Sequence, residues 1–123
     1  MGGIVVVGRL TGFALRGLFG HFAGPGEIEA EKGLPPGHTF FCPLIETAEG
    51  YLNAREIAHA SPRTMSLSLG SEDFALSMGM EAAPETLYAP KQQIIAFARA
   101  AGLTPMGFIS SIAEFRDIEK LQQ

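Results

Sequence analysis

The chain has 123 residues, enough for one modest domain with a buried core. Apolar residues make up 46% of it and charged residues 18%, which is typical of a soluble globular protein. The net charge is −4 and no run of Lys or Arg occurs, which argues against a nucleic-acid-binding surface.

The chain lacks the sequence features of a membrane or secreted protein. Residues 4–22 are apolar, but two arginines and a histidine interrupt them. A bilayer span needs about 20 nearly uncharged residues, and a signal peptide carries its positive charge before the apolar run. Cys42 is the only cysteine, so no intrachain disulfide can form. We therefore expect a cytoplasmic protein.

The first 26 residues differ from the rest and are predicted to be a separate, divergent, glycine-rich segment. They hold eight of the 15 glycines and no acidic residue. The run Ile4–Val7 predicts a strand, and Gly12–Phe22 predicts a helix weakened by its internal glycines. Gly24-Pro25-Gly26 predicts a break in the chain, which leaves residues 27–123 as the main domain.

The main domain begins with a predicted short helix over Glu27–Lys32. Thr39–Ile45 is a continuous apolar run of strand length, the pattern of a strand buried on both faces. Asn53 and Glu56 then predict a capping box at the start of a helix that ends before Pro62.

A second strand is predicted over Thr64–Leu69, where apolar and polar residues alternate. Ser71 is predicted to cap a short helix that Gly79 ends. Pro90 and Gly102 are predicted to frame the next helix. A third strand over Thr104–Ile109 and a last helix capped by Ser111 and Glu114 complete the order. Strands that alternate with helices in this way predict an α/β fold with a parallel sheet.

Two carboxylates follow neighbouring strands of this predicted sheet. Glu46 comes directly after the first regular strand, and Asp73 comes shortly after Gly70, where the second strand ends. Reactive groups gather at the carboxyl ends of parallel strands, and one or two carboxylates suit Mg²⁺. The pattern alone is compatible with a metal site, but acids after strands more often stabilise the start of a helix, as Asp73 could, or are simply solvated.

Other candidate residues are less informative. The three histidines, His21, His38 and His59, are scattered and lack metal-ligand spacing, and Cys42 lies inside an apolar strand, which is typical of a buried structural residue. Gly8 and Gly12 follow a strand-like run, but a glycine pair alone is a weak indication of a nucleotide-binding turn.

Three stretches of sequence stand out, namely Cys42-Pro-Leu-Ile-Glu-Thr-Ala-Glu-Gly50, Asn53-Ala-Arg-Glu-Ile-Ala58 and Leu67-Ser-Leu-Gly-Ser-Glu-Asp-Phe74. Together they resemble the citrate lyase β-subunit and malyl-CoA lyase family of metal-dependent aldolases and lyases. The similarity continues through Tyr88–Gln93 and Ala98–Leu103 and covers about Glu27 to Leu121. The combination of the P-L-I-E-T and G-S-E-D motifs is specific, whereas either alone would not be.

The resemblance implies a TIM (β/α)8 barrel in which Glu46 and Asp73 bind Mg²⁺. It further implies that Gly70, Ser71, Glu72 and Asp73 contact the substrate, with the backbone amides of Glu72 and Asp73 facing a substrate carboxylate. The implied reaction is retro-aldol or Claisen cleavage of a carbon–carbon bond in a citryl- or malyl-CoA-like compound, giving a 2-oxo acid or an acyl-CoA. No catalytic residue beyond the metal site is indicated.

The chain is shorter than such a barrel, which typically needs about 250 residues. We therefore expect a partial barrel, incomplete at both ends, whose own activity is uncertain. The alternative hypothesis is a non-catalytic truncated module that acts through subunit association. The expected partners are a small-molecule substrate, either a CoA thioester or a 2-oxo acid, and further copies of the chain in a homo-oligomer, with neither nucleic acid nor membrane.

Overall fold

The structure, a computed structural model, describes residues 4–10 and 25–107. These residues form four strands and five helices. In chain order the elements are β1 (Ile4–Leu10), α1 (Pro25–Glu31), β2 (Thr39–Ile45), α2 (Ala48–Leu52), α3 (Ala54–Ala58), β3 (Ser66–Leu69), α4 (Ser71–Met78), α5 (Pro84–Ala100) and β4 (Thr104–Met106).

The four strands form one parallel sheet in the order β1-β2-β3-β4, which confirms the predicted α/β class. In β2 and β3, Leu44 pairs with Ser68 and Ile45 with Leu69, so both strands end at the same level. The N–H of Gly70 donates to the carbonyl of Ile45 at 2.8 Å and extends this pairing by one residue. The segments that follow β2 and β3 therefore start side by side.

The hydrophobic core lies between this sheet and the helices that follow β2 and β3. Ile45 and Leu67 are completely buried, as are Phe74 of α4 and Ala98 of α5. The cluster consists of Ile45, Ala54, Ile57, Ala58, Leu67, Leu69, Phe74, Leu87, Ile94, Ala98 and Leu103. Burial of each large apolar side chain contributes about 1.5–3 kcal/mol, so this cluster stabilises the packing of the helices on the strands.

A partly buried ion pair connects α1 to the start of the sheet. Glu29 is only 2% exposed, and its carboxylate accepts hydrogen bonds from the N–H groups of Thr39, at 2.8 Å, and Gly37, at 3.0 Å. Arg63 Nη1 donates to the same carboxylate at 2.7 Å. Thr39 begins β2, so this pair belongs to the end of the sheet opposite Glu46.

Two predicted helix starts are shifted and one predicted capping bond is absent, although α3 does begin directly after Asn53, as predicted. The sequence between β2 and β3 forms two short helices, and Asn53 does not cap the second through its side chain, which instead donates to the carbonyl of Glu49. Helix α4 is preceded by Gly70 as its N-cap, so Ser71 is its first residue. Helix α1 includes Pro25, which was predicted to lie in a break, because proline is tolerated in the first turn of a helix.

The long helix α5 also begins earlier than predicted. It starts at Pro84 rather than near Pro90, which lies inside it. Its start is favoured because Thr86 Oγ1 accepts a hydrogen bond from the N–H of Ala83 at 3.1 Å. The predicted ends are confirmed: Gly79 and Gly102 follow α4 and α5 with φ angles of +67° and +73°, which glycine adopts without strain.

Several predictions fall on residues that the structure does not describe. They are the helix over Gly12–Phe22, the end of the third strand beyond Gly107 and the helix capped by Ser111 and Glu114. The division at residue 26 stays a prediction. None of the helices within residues 25–107 is long and apolar enough to cross a membrane.

Candidate metal and substrate site

Glu46 lies directly after β2, and its side chain crosses over Gly70 at the end of β3. A Cβ atom placed on Gly70 would lie 2.6 Å from Glu46 Cγ and 3.0 Å from Glu46 Oε1. The absence of a side chain at Gly70 is therefore what lets Glu46 occupy this position. The half-buried carboxylate of Glu46 consequently lies beside the residue that leads into α4.

Asp73 lies in the first turn of α4, three residues after Gly70, and is half-buried. The helix begins at once because the N–H of Phe74 donates to the carbonyl of Gly70 at 2.9 Å. Since β2 and β3 end at the same level, Glu46 and Asp73 both lie at the carboxyl end of the sheet. The structure thus places the two predicted ligands at the same edge, as the strand-end rule requires.

The start of α4 supplies backbone donors at the same edge. The amides of Ser71, Glu72 and Asp73 precede the first hydrogen bond within the helix, and Gly70 has no side chain with which to cap them. A helix N-terminus carries partial positive charge and favours an anion nearby. The same field favours a negative charge in the first turn, so stabilisation of the helix start by Asp73 is compatible with its predicted ligand role.

A lysine of α5 contributes positive charge next to this turn. Burial lowers the pKa of Lys91, whereas the charge of Glu72 raises it, and the net direction is downward. Lys91 is half-buried and Glu72 is exposed in the first turn of α4. Their interaction connects the start of α4 to α5.

Sequence reasoning missed the residues that support this edge. Thr47 is the N-cap of α2, since its Oγ1 accepts a hydrogen bond from the N–H of Gly50 at 3.0 Å. Ser77 of α4 accepts a hydrogen bond from the N–H of Ala48 at 3.0 Å. Thr47 has the residue type and position of an N-cap and could have been found from the sequence, but nothing in the sequence indicates that Ser77 faces Ala48.

The donor atoms at this edge fit Mg²⁺. This ion prefers oxygen ligands, binds one or two protein carboxylates and leaves its other positions to water and substrate. Within residues 4–10 and 25–107 no group of three or more His, Cys, Asp and Glu residues is arranged to bind a metal. Glu46 and Asp73 are carboxylates at this edge whose residue type suits Mg²⁺.

The remaining candidates lie elsewhere. His38 directly precedes β2 and is half-buried, and His59 follows α3 and is exposed, whereas His21 lies outside the described residues. Cys42 is buried within β2. Gly8 lies inside strand β1 rather than in a turn, and it pairs with Pro43, which argues against a phosphate-binding turn at this position.

Residues 26–120 match the family model described as HpcH/HpaI aldolase/citrate lyase. The match covers most of the chain and includes both carboxylates. The chain belongs to this family.

Curated relatives are similar to part of this chain. Citrate lyase subunit beta of Escherichia coli (strain K12) is 36% identical over 88 residues, which cover 70% of this chain and 29% of that protein. The L-malyl-CoA/beta-methylmalyl-CoA lyase of Rhodobacter capsulatus is 57% identical over 53 residues, covering 43% of this chain and 16% of that protein. The chain thus spans less than a third of the length of these relatives.

A solved structure shares the fold. The citrate lyase beta subunit from M. tuberculosis, complexed with oxaloacetate and magnesium, superposes with a TM-score of 0.63 and 21% sequence identity. The similarity covers 96% of this chain and 59% of that one. It supports the assignment of the parallel sheet and its helices to part of a citrate-lyase-type barrel, as predicted.

Proposed function

We propose that this chain carries the Mg²⁺ site of a carbon–carbon lyase and that Glu46 and Asp73 are its protein ligands. The observation that carries the proposal is the placement of the Glu46 side chain over Gly70, beside the helix turn that contains Asp73. Both carboxylate residues lie at the carboxyl end of a parallel sheet, the edge at which barrel enzymes bind their substrates.

The chain's own residues would bind and orient a 2-oxo acid at this edge. Bound Mg²⁺ supplies a Lewis acid that stabilises the negative charge developing on the carbonyl oxygen as the carbon–carbon bond breaks. The amides of Glu72 and Asp73 at the start of α4 would donate to the substrate carboxylate. Gly70 and Ser71 precede them, and the absence of a side chain at Gly70 leaves room for the Glu46 carboxylate.

The substrate class is inferred from the relatives together with the site. The relatives include citrate lyase beta subunits and L-malyl-CoA/beta-methylmalyl-CoA lyases, and the M. tuberculosis structure holds oxaloacetate and magnesium. We infer a citryl-CoA- or malyl-CoA-like substrate, cleaved to a 2-oxo acid and an acyl-CoA. Membership of the HpcH/HpaI aldolase/citrate lyase family supports a lyase that acts on a small molecule.

A metal-binding experiment tests the ligands directly. Mn²⁺ or Mg²⁺ binding to the wild-type chain is measured by isothermal titration calorimetry and compared with Glu46→Gln and Asp73→Asn. We expect both substitutions to weaken binding by at least about ten-fold, since each removes a charged oxygen ligand. Glu49→Gln is the matched control, because Glu49 is an exposed carboxylate in the first turn of α2. Equal binding by wild type and both variants would contradict the proposal.

A second candidate is a non-catalytic module that associates with other chains. The observation that favours it is the position of β1 and β4 at the two edges of the described sheet, because edge strands can pair with a further chain. A homo-oligomer would then form in the reducing cytoplasm, where the buried thiol of Cys42 stays unpaired.

Two measurements separate these candidates. Cleavage of malyl-CoA or citryl-CoA in the presence of Mg²⁺, followed by detection of the released acid, supports the lyase. A defined oligomer by light scattering without any turnover supports the associating module. A monomer that binds metal and turns over substrate would leave the second candidate without support.

A further inference from the structure

The structure links the two segments that carry the proposed ligands through a hydrogen bond outside the site. The N–H of Ala48 donates to Ser77 Oγ at 3.0 Å. Ala48 is the first residue of α2 and lies two positions after Glu46, whereas Ser77 lies one helical turn after Asp73. The bond therefore joins the segment after β2 to the helix after β3.

An aromatic contact joins the same two helices. The rings of Tyr51 in α2 and Phe74 in α4 lie 5.2 Å apart between centroids and are tilted by 53°. Phe74 follows Asp73 directly and is completely buried, and the Tyr51 hydroxyl donates to Gln93 of α5. Because Phe74 and Ser77 are three residues apart on one helix, they face α2 together.

We infer that Ser77 is a positioning residue that sets the separation of the Glu46 and Asp73 carboxylates. Tyr51 and Phe74 hold the two helices side by side, but a ring contact does not prevent α4 from sliding along α2. The Ser77 hydroxyl fixes that remaining freedom, because it accepts from one backbone amide at the start of α2. This inference rests on the proposed metal site.

A purely structural role for Ser77 would have a different consequence. The first amides of a helix have no partner within the helix, so a hydroxyl that accepts from Ala48 could serve only to satisfy that donor. Loss of such a bond lowers the melting temperature but leaves the metal affinity of the folded protein unchanged. Stability and metal affinity must therefore be measured on the same variants.

The test uses the 123-residue chain and Mn²⁺ alone as the probe, with Ser77→Ala, Ser77→Thr and a control. The control is Ser61→Ala, since Ser61 Oγ accepts a hydrogen bond from the N–H of Arg63 at 3.1 Å, before β3 and away from the site. The dissociation constant is measured by calorimetry well below each melting temperature, with circular dichroism to establish folding. Ser77→Cys replaces Ser77→Ala if the latter does not fold.

We expect Ser77→Ala to raise the Mn²⁺ dissociation constant roughly ten-fold, the effect typical of residues that orient metal ligands. Ser77→Thr retains the hydroxyl and should stay within about two-fold of wild type, as should Ser61→Ala. If Ser77→Ala binds Mn²⁺ with unchanged affinity while Glu46→Gln binds it more weakly, the positioning role of Ser77 is overturned and the proposed metal site is not. Absence of Mn²⁺ binding by the wild type overturns both this role and the proposed metal site.

Discussion

The side chain of Glu46 lies across the backbone of Gly70, so close that a single methyl group on Gly70 would come within 2.6 Å of Glu46 Cγ. The contact joins the ends of two neighbouring strands, because Gly70 also donates its N–H to the carbonyl of Ile45. Gly70 is not needed here for its conformational freedom, since its φ of −80° is open to any residue. It is needed for space.

Gly70→Ala is therefore expected to impair metal binding more than stability. The added Cβ must push away the middle of the Glu46 side chain, which moves the carboxylate from its place beside α4. We expect the Mn²⁺ dissociation constant, measured by calorimetry, to rise by about ten-fold or more. Alanine is also a weaker N-cap than glycine, so a small decrease in melting temperature should accompany this loss.

Gly26→Ala provides the control for this substitution. Gly26 lies in α1, and nothing would lie within 4 Å of a Cβ placed on it. This variant should bind Mn²⁺ as the wild type does and melt at the same or a slightly higher temperature, since alanine favours a helix. If Gly70→Ala also binds like the wild type, Glu46 is not held in place by its contact with Gly70.

We expect substitution of Glu29, which forms an ion pair with Arg63, to lower the stability of the fold. Glu29→Gln removes the charge that Arg63 contacts at 2.7 Å and leaves the half-buried guanidinium without this partner. We expect the melting temperature to fall by several degrees. Glu31→Gln is the control and should have little effect, because the Glu31 side chain is 69% exposed and its ion pair with Lys32 lies at the surface. Equal melting temperatures for the two variants would show that Glu29 does not stabilise the fold.

The Glu29 carboxylate is also expected to make the stability of the fold depend on pH in the acid range. Burial raises the pKa of Glu29. The hydrogen bonds from the amides of Thr39 and Gly37 and the contact with Arg63 outweigh this effect, so the pKa falls from an ordinary value of 4.5 to about 2. The carboxyl of Glu29 thus binds a proton more readily in the unfolded state than in the folded state. Its contribution to the free energy of unfolding is therefore complete above pH 4.5 and is lost as the pH falls towards 2. Urea unfolding of wild type and Glu29→Gln should therefore show a difference that shrinks over this range.

The extent of β2 was predicted correctly because it depends on local pattern alone. Thr39–Ile45 is an unbroken apolar run, and the structure gives the same bounds. The second strand was predicted to begin at Thr64, and Thr64 does form a bridge with Phe41, although regular pairing begins at Ser66. Strand-end reasoning then placed Glu46 and Asp73 at one edge, since parallel strands share a direction.

Contacts between distant parts of the chain were not predictable in this way. Ser77 and Ala48 are 29 residues apart, and their hydrogen bond depends on how α4 packs against α2. The contact between Glu46 and Gly70 likewise depends on side-chain direction after the strands end. Periodicity identifies which residues are buried, but it does not determine which of them meet.

The start of α5 was misplaced because two prolines compete for the first position of this helix. Leu87 is buried and lies two turns before Ile94, so the apolar stripe already extended past Pro90 towards Pro84. A preference for proline at the first helical position fits both Pro84 and Pro90. The stripe, rather than the proline, identifies the true start.

Replacement of Pro90, which lies inside α5, is expected to stabilise the protein. Proline has no N–H to donate to the carbonyl of Thr86 one turn earlier, and in a helix interior it costs about 3 kcal/mol relative to alanine. We expect Pro90→Ala to raise the free energy of unfolding in urea by about 1–3 kcal/mol. Pro84→Ala is the control, because the first helical residue needs no such hydrogen bond and gains nothing from an added N–H. A gain in Pro84→Ala equal to that in Pro90→Ala would mean that the helix interior is not the source of the effect.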